Sequence, residues 1–349
     1  MDHNSKQFCP GSHVMIYLLV AIAVYVFVWF SSPFFGNYNE TNSSPSNFPG
    51  IGVKDELELA LREASMPNRT VIIAVINKAY VERSVNEEAT MLDLFLESFW
   101  VGENTRSLLE HLLLVAVDQT AYERCQFRRL HCYRLVTEGV DFAGEKVYMS
   151  QDFINMMWRR TLFLLEILKR GYNFIFTDID VMWFRNPFLR LSPLKEADLE
   201  ISVDTFNDDP RPENKYINTG FYYIRSNSKT ISLFHTWYSQ KNNSTGKKEQ
   251  DVLQDLNRGG LLQKLDLKVK FLETRYFSGF CQDSKDITAV TTMHANCCRN
   301  SKAKFRDLTT ALRDWKQFKA AVFQHPEIID RIGLDFKWTA HTECLNSWQ

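Results

Sequence analysis

Two aspartates one residue apart, Asp178 and Asp180, close an apolar run in Phe174–Pro187, FIFTDIDVMWFRNP. On a strand, side chains at i and i+2 point to the same side. At the C-terminal end of a strand in an open α/β sheet they face the ligand crevice. Burying both charges beside Phe and Trp is costly without a cation. A divalent metal carrying a diphosphate is the natural compensation, because hard oxygen ligands suit Mg2+ or Mn2+. Two solvated aspartates on a surface turn fit badly with apolar residues on both sides.

Two chemistries use such a pair. In a haloacid-dehalogenase-like phosphatase the first Asp is a nucleophile on the first strand of the domain, followed by a Lys and an acidic motif. In a nucleotide-sugar transferase the pair lies mid-domain, between nucleotide-binding and acceptor-binding halves. Here a long α/β pattern precedes Asp178, and Asp208 and Asp209 fall in a Pro-rich loop rather than at a strand end. The position favours the transferase.

The elements that must hold the pair alternate. Strands are predicted at Val71–Asn77, Leu112–Val117, Asn173–Thr177, Leu199–Val203, Gly220–Arg225, Lys268–Leu272 and Ala289–His294. Helices are predicted from Asn86, as N-cap, to Trp100, and from Ser150 to Arg170 with Gly171 as the C′ residue. Others follow at Lys229–Gln240, Lys247–Asn257 and Lys302–Lys319. Strands separated by helices imply an α/β fold with a mostly parallel sheet covered on both faces. No repeat or second linker interrupts residues 54–349, which read as one catalytic domain.

The chain has 349 residues, 45% hydrophobic and 24% charged, which is enough for a full core and excludes a disordered chain. With 41 basic and 42 acidic side chains it has no basic field for nucleic acid. The run Val14–Phe30 has no charge, Pro or Gly. As a helix it would reach about 25 Å, close to the ~27 Å core of an early-secretory membrane. It reads as an uncleaved signal anchor, since Ser31, Ser32 and Pro33 make a poor cleavage site. Lys6 lies on its N-terminal side and no Lys or Arg follows until Lys54, which favours a cytosolic tail, 1–13, and a lumenal bulk. Residues 31–53, rich in Ser, Asn, Pro and Gly, read as a stem.

Sequons at Asn39, Asn42, Asn68, Asn242 and Asn243 agree with a lumenal address. So do the six cysteines beyond the anchor, Cys125, Cys132, Cys281, Cys297, Cys298 and Cys344, an even number compatible with up to three disulfides. No C-x-x-C pair supports zinc. Cys9, before the anchor, is either a bystander thiol or a juxtamembrane acylation site.

Four segments in order, FTDIDVMWFRNP, INTGFYYIRSN from Ile217, EQDVL from Glu249 and MHANCC from Met293, resemble the plant nucleotide-diphospho-sugar transferase domain, allied to family 77 glycosyltransferases. The resemblance covers roughly residues 70–320. It implies a GT-A-like fold, a type II Golgi membrane protein, a metal-bound nucleotide-sugar donor and transfer with retention. The acceptor it implies is a wall glycan or a glycoprotein.

By the same resemblance Asp178 lies near donor ribose and metal, Asp180 is a direct metal ligand, and His294 completes the metal sphere. A structural His is the alternative. Lys304 either reaches the diphosphate or is an exposed first-turn lysine. Asn218 and Asp204 contact the donor sugar. Glu249 stands where the family shows Asp, one methylene longer, and Gln250 and Asp251 are candidates for the sugar face opposite the leaving phosphate. Acids favoured by a helix N-terminus are the alternative for this segment. Arg159 and Arg160 are diphosphate partners or snorkelling surface residues, the latter for at least one.

Sugar transfer builds positive charge on the ring and negative charge on the departing diphosphate, which a metal and Lys304 would stabilise. The absence of a glycosidase-like carboxylate pair weighs against glycan hydrolysis. A non-enzymatic Golgi sugar- or partner-binding protein with a weakened site is the other reading, resting on Glu249.

Overall fold

The computed structural model describes residues 55–83, 87–137, 142–193, 196–325 and 336–348. The expected tail 1–13, anchor 14–30 and stem 31–53 lie outside the described residues, with Cys9, Asn39 and Asn42. Among the described residues no helix is long and apolar enough to cross a membrane.

Alternating burial along β1 (Thr70–Ile76) sets the layers. Ile72, Ala74 and Ile76 enter one core, Val71 and Ile73 the other. A strand of β-branched residues buried on both sides must be covered twice. On the first face lie helices Met91–Val101 and Ser301–Gln324. On the second lie Glu56–Ala64, Gln151–Lys169, Ser228–Ser239 and Glu249–Arg258.

The remaining strands are β2 (Leu112–Ala116), β3 (His131–Arg134), β4 (Asn173–Thr177), β5 (Val181–Trp183), β6 (Leu199–Val203), β7 (Ile217–Ile224), β8 (Val269–Phe271), β9 (Phe277–Gly279) and β10 (Thr292–His294). The large sheet has order β3-β2-β1-β4-β7-β6-β8. β7 is antiparallel to both neighbours, and every other pairing is parallel. The sheet is thus mostly parallel, as expected. The chain lays β2 and β3 on one side of β1 and then places β4 on the other. The ends of β1 and β4 flank this reversal, where such sheets take ligands.

β4 and β6 have their expected limits, β7 starts earlier, at Ile217, and β8 and β10 are shorter than expected. Ser150 caps its helix by accepting from the Phe153 N–H at 3.2 Å, and Gly171 sits beyond its end with φ +78°. One boundary is corrected. The helix expected to begin at Asn86 begins at Met91, because Thr90 and Asp93 cap each other's backbone N–H groups. Asn86 itself lies outside the described residues.

A second sheet, β5-β10-β9, was not anticipated, because three-residue strands carry too little periodicity to show. It has a direct consequence for the site. β10 pairs antiparallel with β5, setting His294 opposite Val181, and the Ala295 N–H donates to the Asp180 carbonyl at 3.0 Å. Trp183 locks β5 by stacking on Phe99, centroids 4.6 Å apart, and by donating from Nε1 to Thr177 Oγ1 at 3.3 Å. The six cysteines pair as Cys125–Cys132, Cys281–Cys297 and Cys298–Cys344. Asn68, Asn242 and Asn243 are exposed, as glycan acceptors must be.

Candidate active site

β4 ends at Thr177, and the next N–H, of Asp178, donates to the Gly220 carbonyl on β7 at 2.7 Å. This places Asp178 and Asp180 in the turn beyond the C-terminal end of the central strand β4, rather than on the strand itself, with His294 brought in by β10. The three residues can each offer a ligand atom, all within 4.8 Å of one another.

The outer oxygens are already engaged. Asp178 Oδ1 accepts from Arg160 Nη1 at 2.8 Å, and Asp180 Oδ2 from Lys304 Nζ at 2.8 Å. The inner oxygens turn to the histidine: Asp180 Oδ1 lies 3.4 Å and Asp178 Oδ2 3.9 Å from His294 Nε2. Two carboxylate oxygens and an imidazole nitrogen are a donor set suited to Mg2+ or Mn2+. Gly220 keeps the space open. A Cβ there would lie 2.3 Å from His294 Cε1 and 2.8 Å from Asp178 Oδ2, so only glycine fits without displacement.

Arg160 is buried and holds a second carboxylate, Glu249, whose Oε1 accepts from Nη2 at 2.7 Å. Glu249 Oε1 also accepts from Thr219 Oγ1 at 3.0 Å, while its Oε2 is buried and without a hydrogen bond among the described residues. Three carboxylates thus face two cations. Burial pushes the Asp178 carboxyl up, aided by the Asp180 charge and opposed by Arg160. Burial acts on Asp180 too, but Lys304 and His294 outweigh it and hold its carboxyl well below the usual range. Burial, together with the two aspartates, pushes the nearby Tyr80 hydroxyl up to about 12 against the pull of Lys304.

These groups line a cleft of about 280 Å³. Asn218 and Asp204 lie on its wall, with Asn218 Nδ2 donating to Asp204 Oδ1 at 2.7 Å and Asn218 Oδ1 accepting from the Gly220 N–H at 2.8 Å. Gln250 also lines it, accepting through Oε1 from the Thr219 N–H at 3.1 Å.

The structure therefore brings together Asp178, Asp180, His294, Asp204, Asn218, Glu249, Gln250 and Lys304. Lys304 is no exposed lysine, since Asp180 holds it. Asp251 is the exception and does not line the cleft. Two residues along a helix rotate the side chain by about 200°, which turns Asp251 away from the face that Glu249 presents. Arg159 and Arg160 separate as two uses of one helix. Arg159 donates to the Val136 carbonyl at 3.1 Å, whereas Arg160 is the buried bridge of the site. Its spacing from Met157 and Leu164 puts it on the helix's inward stripe, a signal the sequence carried. Asn296 was missed. It donates from Nδ2 to Asp204 Oδ1 at 3.0 Å and accepts from the Cys281 N–H at 3.0 Å.

Comparison with known proteins places the chain in a family. The family model for nucleotide-diphospho-sugar transferases matches residues 107–308. An uncharacterized protein of Arabidopsis thaliana is 52% identical over 98% of this chain and 96% of its own length. A second uncharacterized protein of that plant is 39% identical over 82% of this chain and 73% of its own. A UDP-D-xylose:L-fucose alpha-1,3-D-xylosyltransferase, also from Arabidopsis thaliana, is 24% identical over 66% of this chain and 61% of its own.

The clearance at Gly220 gives a direct test. Gly220→Ala forces His294 or Asp178 aside and is expected to weaken Mn2+ binding by about 10- to 100-fold, as for other changes that misorient a metal ligand. Calorimetric titration with Mn2+ measures this, and unchanged affinity would show that the two side chains do not share a cation.

Proposed function

The chain belongs to the nucleotide-diphospho-sugar transferase family and is a nucleotide-sugar glycosyltransferase, and from that premise we propose a metal-dependent, retaining GT-A enzyme. It moves a sugar from a nucleoside-diphosphate donor to a hydroxyl of a glycan or glycoprotein. The observation that carries the proposal is the convergence of Asp178 Oδ2 and Asp180 Oδ1 on His294, with their other oxygens held by Arg160 and Lys304.

The roles follow from position. A divalent cation, Mn2+ or Mg2+, held by Asp178, Asp180 and His294 supplies charge neutralisation to the diphosphate. Lys304 adds a second positive charge beside it and need not donate a proton, so no protonated acid is required at the leaving oxygen. Asn218 and Asp204 orient the sugar. Glu249, tethered by Arg160, fixes the floor beneath it. Gln250 lies across the sugar from the leaving group. The anomeric C–O bond to phosphate breaks, a bond to the acceptor oxygen forms on the same face, and the acceptor proton passes to a departing phosphate oxygen. The phosphatase alternative would put the Asp pair on a first strand; here it follows β4, the fourth.

The proposal extends to topology. The apolar run Val14–Phe30, the exposed sequons and three disulfides support a single-pass Golgi protein with residues 54–349 in the lumen. Protease added to intact microsomes should leave nearly the whole chain protected and glycosidase-sensitive; digestion of the large domain from the cytosolic side would overturn it.

Two substitutions separate the roles. The sequence alone presents the Asp pair as mutually repelling, so that losing one carboxylate would relieve strain. The structure shows Lys304 bound to Asp180 instead, so the isosteric Asp180→Asn is the cleaner probe. It should weaken Mn2+-dependent binding of a nucleoside diphosphate by more than about a hundredfold, beyond the loss caused by outer partners. Gln250→Ala should retain that binding and lose about 100- to 1,000-fold in turnover, the scale of one transition-state contact. Calorimetry and a donor-hydrolysis assay read the two effects. Equal, equally metal-dependent binding by Asp180→Asn would refute the metal assignment.

A further inference from the structure

The donor's place on the cleft floor leaves an aromatic feature at the rim unexplained. Trp348 is 49% exposed and lines the cleft, as does Tyr148, 42% exposed. An exposed Trp is ordinary when it swings freely, but this one is fixed. Its Nε1–H donates to the Cys297 carbonyl at 2.7 Å, and the Arg299 guanidinium lies 3.9 Å from its ring centroid.

The segment carrying it is stapled to the residues just after His294. Cys297 takes a left-handed conformation, φ +52°, and the adjacent Cys297 and Cys298 bond to opposite partners, Cys281 and Cys344. The Arg299 N–H donates to Ser347 Oγ at 3.0 Å, and Ser347 Oγ donates to the Cys344 carbonyl at 2.6 Å. The Cys344 N–H in turn donates to the buried Asp307 at 2.8 Å. A disulfide, a buried capping bond and an indole hydrogen bond are a heavy investment in the position of one half-exposed ring.

We propose that Trp348 is the stacking platform for the acceptor sugar. The inference rests on the glycosyltransferase reading and names the acceptor subsite of that site. The sheet reversal puts the nucleotide against the β1 and β4 ends, at Asn77, Tyr80 and Asp178, and the transferred sugar against Asn218 and Gln250. Trp348 is anchored instead through Cys297 and Arg299, on the rim beyond His294. Arg299 covers one face of the indole, and the weakly positive C–H face of a pyranose suits the negative charge of the other. Fixing the ring in advance removes the ordering cost of capture. Tyr148 supplies a second aromatic surface on the same cleft.

The test uses the full-length protein in detergent with Mn2+ and a nucleoside diphosphate, and a panel of methyl glycosides (fucoside, xyloside, galactoside, arabinofuranoside) observed by saturation-transfer NMR. The wild type should bind at least one glycoside. Trp348→Ala should weaken that binding about tenfold, the worth of one aromatic contact, with nucleoside diphosphate affinity unchanged. Trp348→Phe, which keeps a ring but loses the bond to the Cys297 carbonyl, should restore only part of it. Three results would overturn the platform: no glycoside bound by the wild type, equal binding by Trp348→Ala, or a parallel loss of nucleoside diphosphate affinity, which would make the ring a nucleobase platform. Failure of the wild type to bind nucleoside diphosphate with Mn2+ would instead overturn the underlying site reading.

Discussion

Three carboxylates, Asp178, Asp180 and Glu249, are gathered beyond the C-terminal end of the central strand β4, and the surrounding structure is arranged around their charge. Arg160 holds Glu249 and the outer oxygen of Asp178, and Lys304 holds the outer oxygen of Asp180. Removing a buried cation from such a set would strand a charge at a cost of roughly 3–5 kcal/mol. The two cations come from helices on opposite faces of the sheet, Gln151–Lys169 and Ser301–Gln324, so both layers are committed to the same few atoms. What remains unbalanced is a single negative charge on the two inner oxygens, directed at His294.

That surplus explains why the protein spends a separate small sheet on one histidine. β10 pairs with β5, the strand that follows the aspartates, so the ligand from far along the chain is registered against them by backbone hydrogen bonds. Gly220 on β7 then leaves the volume that a side chain would fill. The spacing of the donor atoms is therefore set by the tight turn from β4 to β5 that carries the two aspartates, and by β7 and β10 packed against it.

Much of this was legible in the residues. The strand ending at Thr177 and the long helix capped by Ser150 showed their limits because apolar period, cap and terminating glycine agreed. The Asp pair stood out because acids rarely follow such a run. Other parts were hidden by physics rather than by oversight. β5 and β9 are too short for a period to register, so His294 could be set at the end of a strand but its pairing beside the aspartates could not be read. Arg160 and Arg159 are the same residue type, and the helical phase, which the sequence does carry, separates the buried bridge from its neighbour. Asp251 sits in the right segment but on the wrong side of its helix. Trp348 gave no signal, since its position depends on a disulfide between residues far apart in the chain.

The central claim is that Asp178, Asp180 and His294 hold one divalent cation. Electron spin echo envelope modulation of the Mn2+-loaded protein tests it most directly, because it detects a nitrogen bonded to the metal. Imidazole nitrogen coupling is expected in the wild type and should disappear in His294→Gln while the protein stays folded. Mn2+ bound without nitrogen coupling, or the same coupling after His294→Gln, would contradict it.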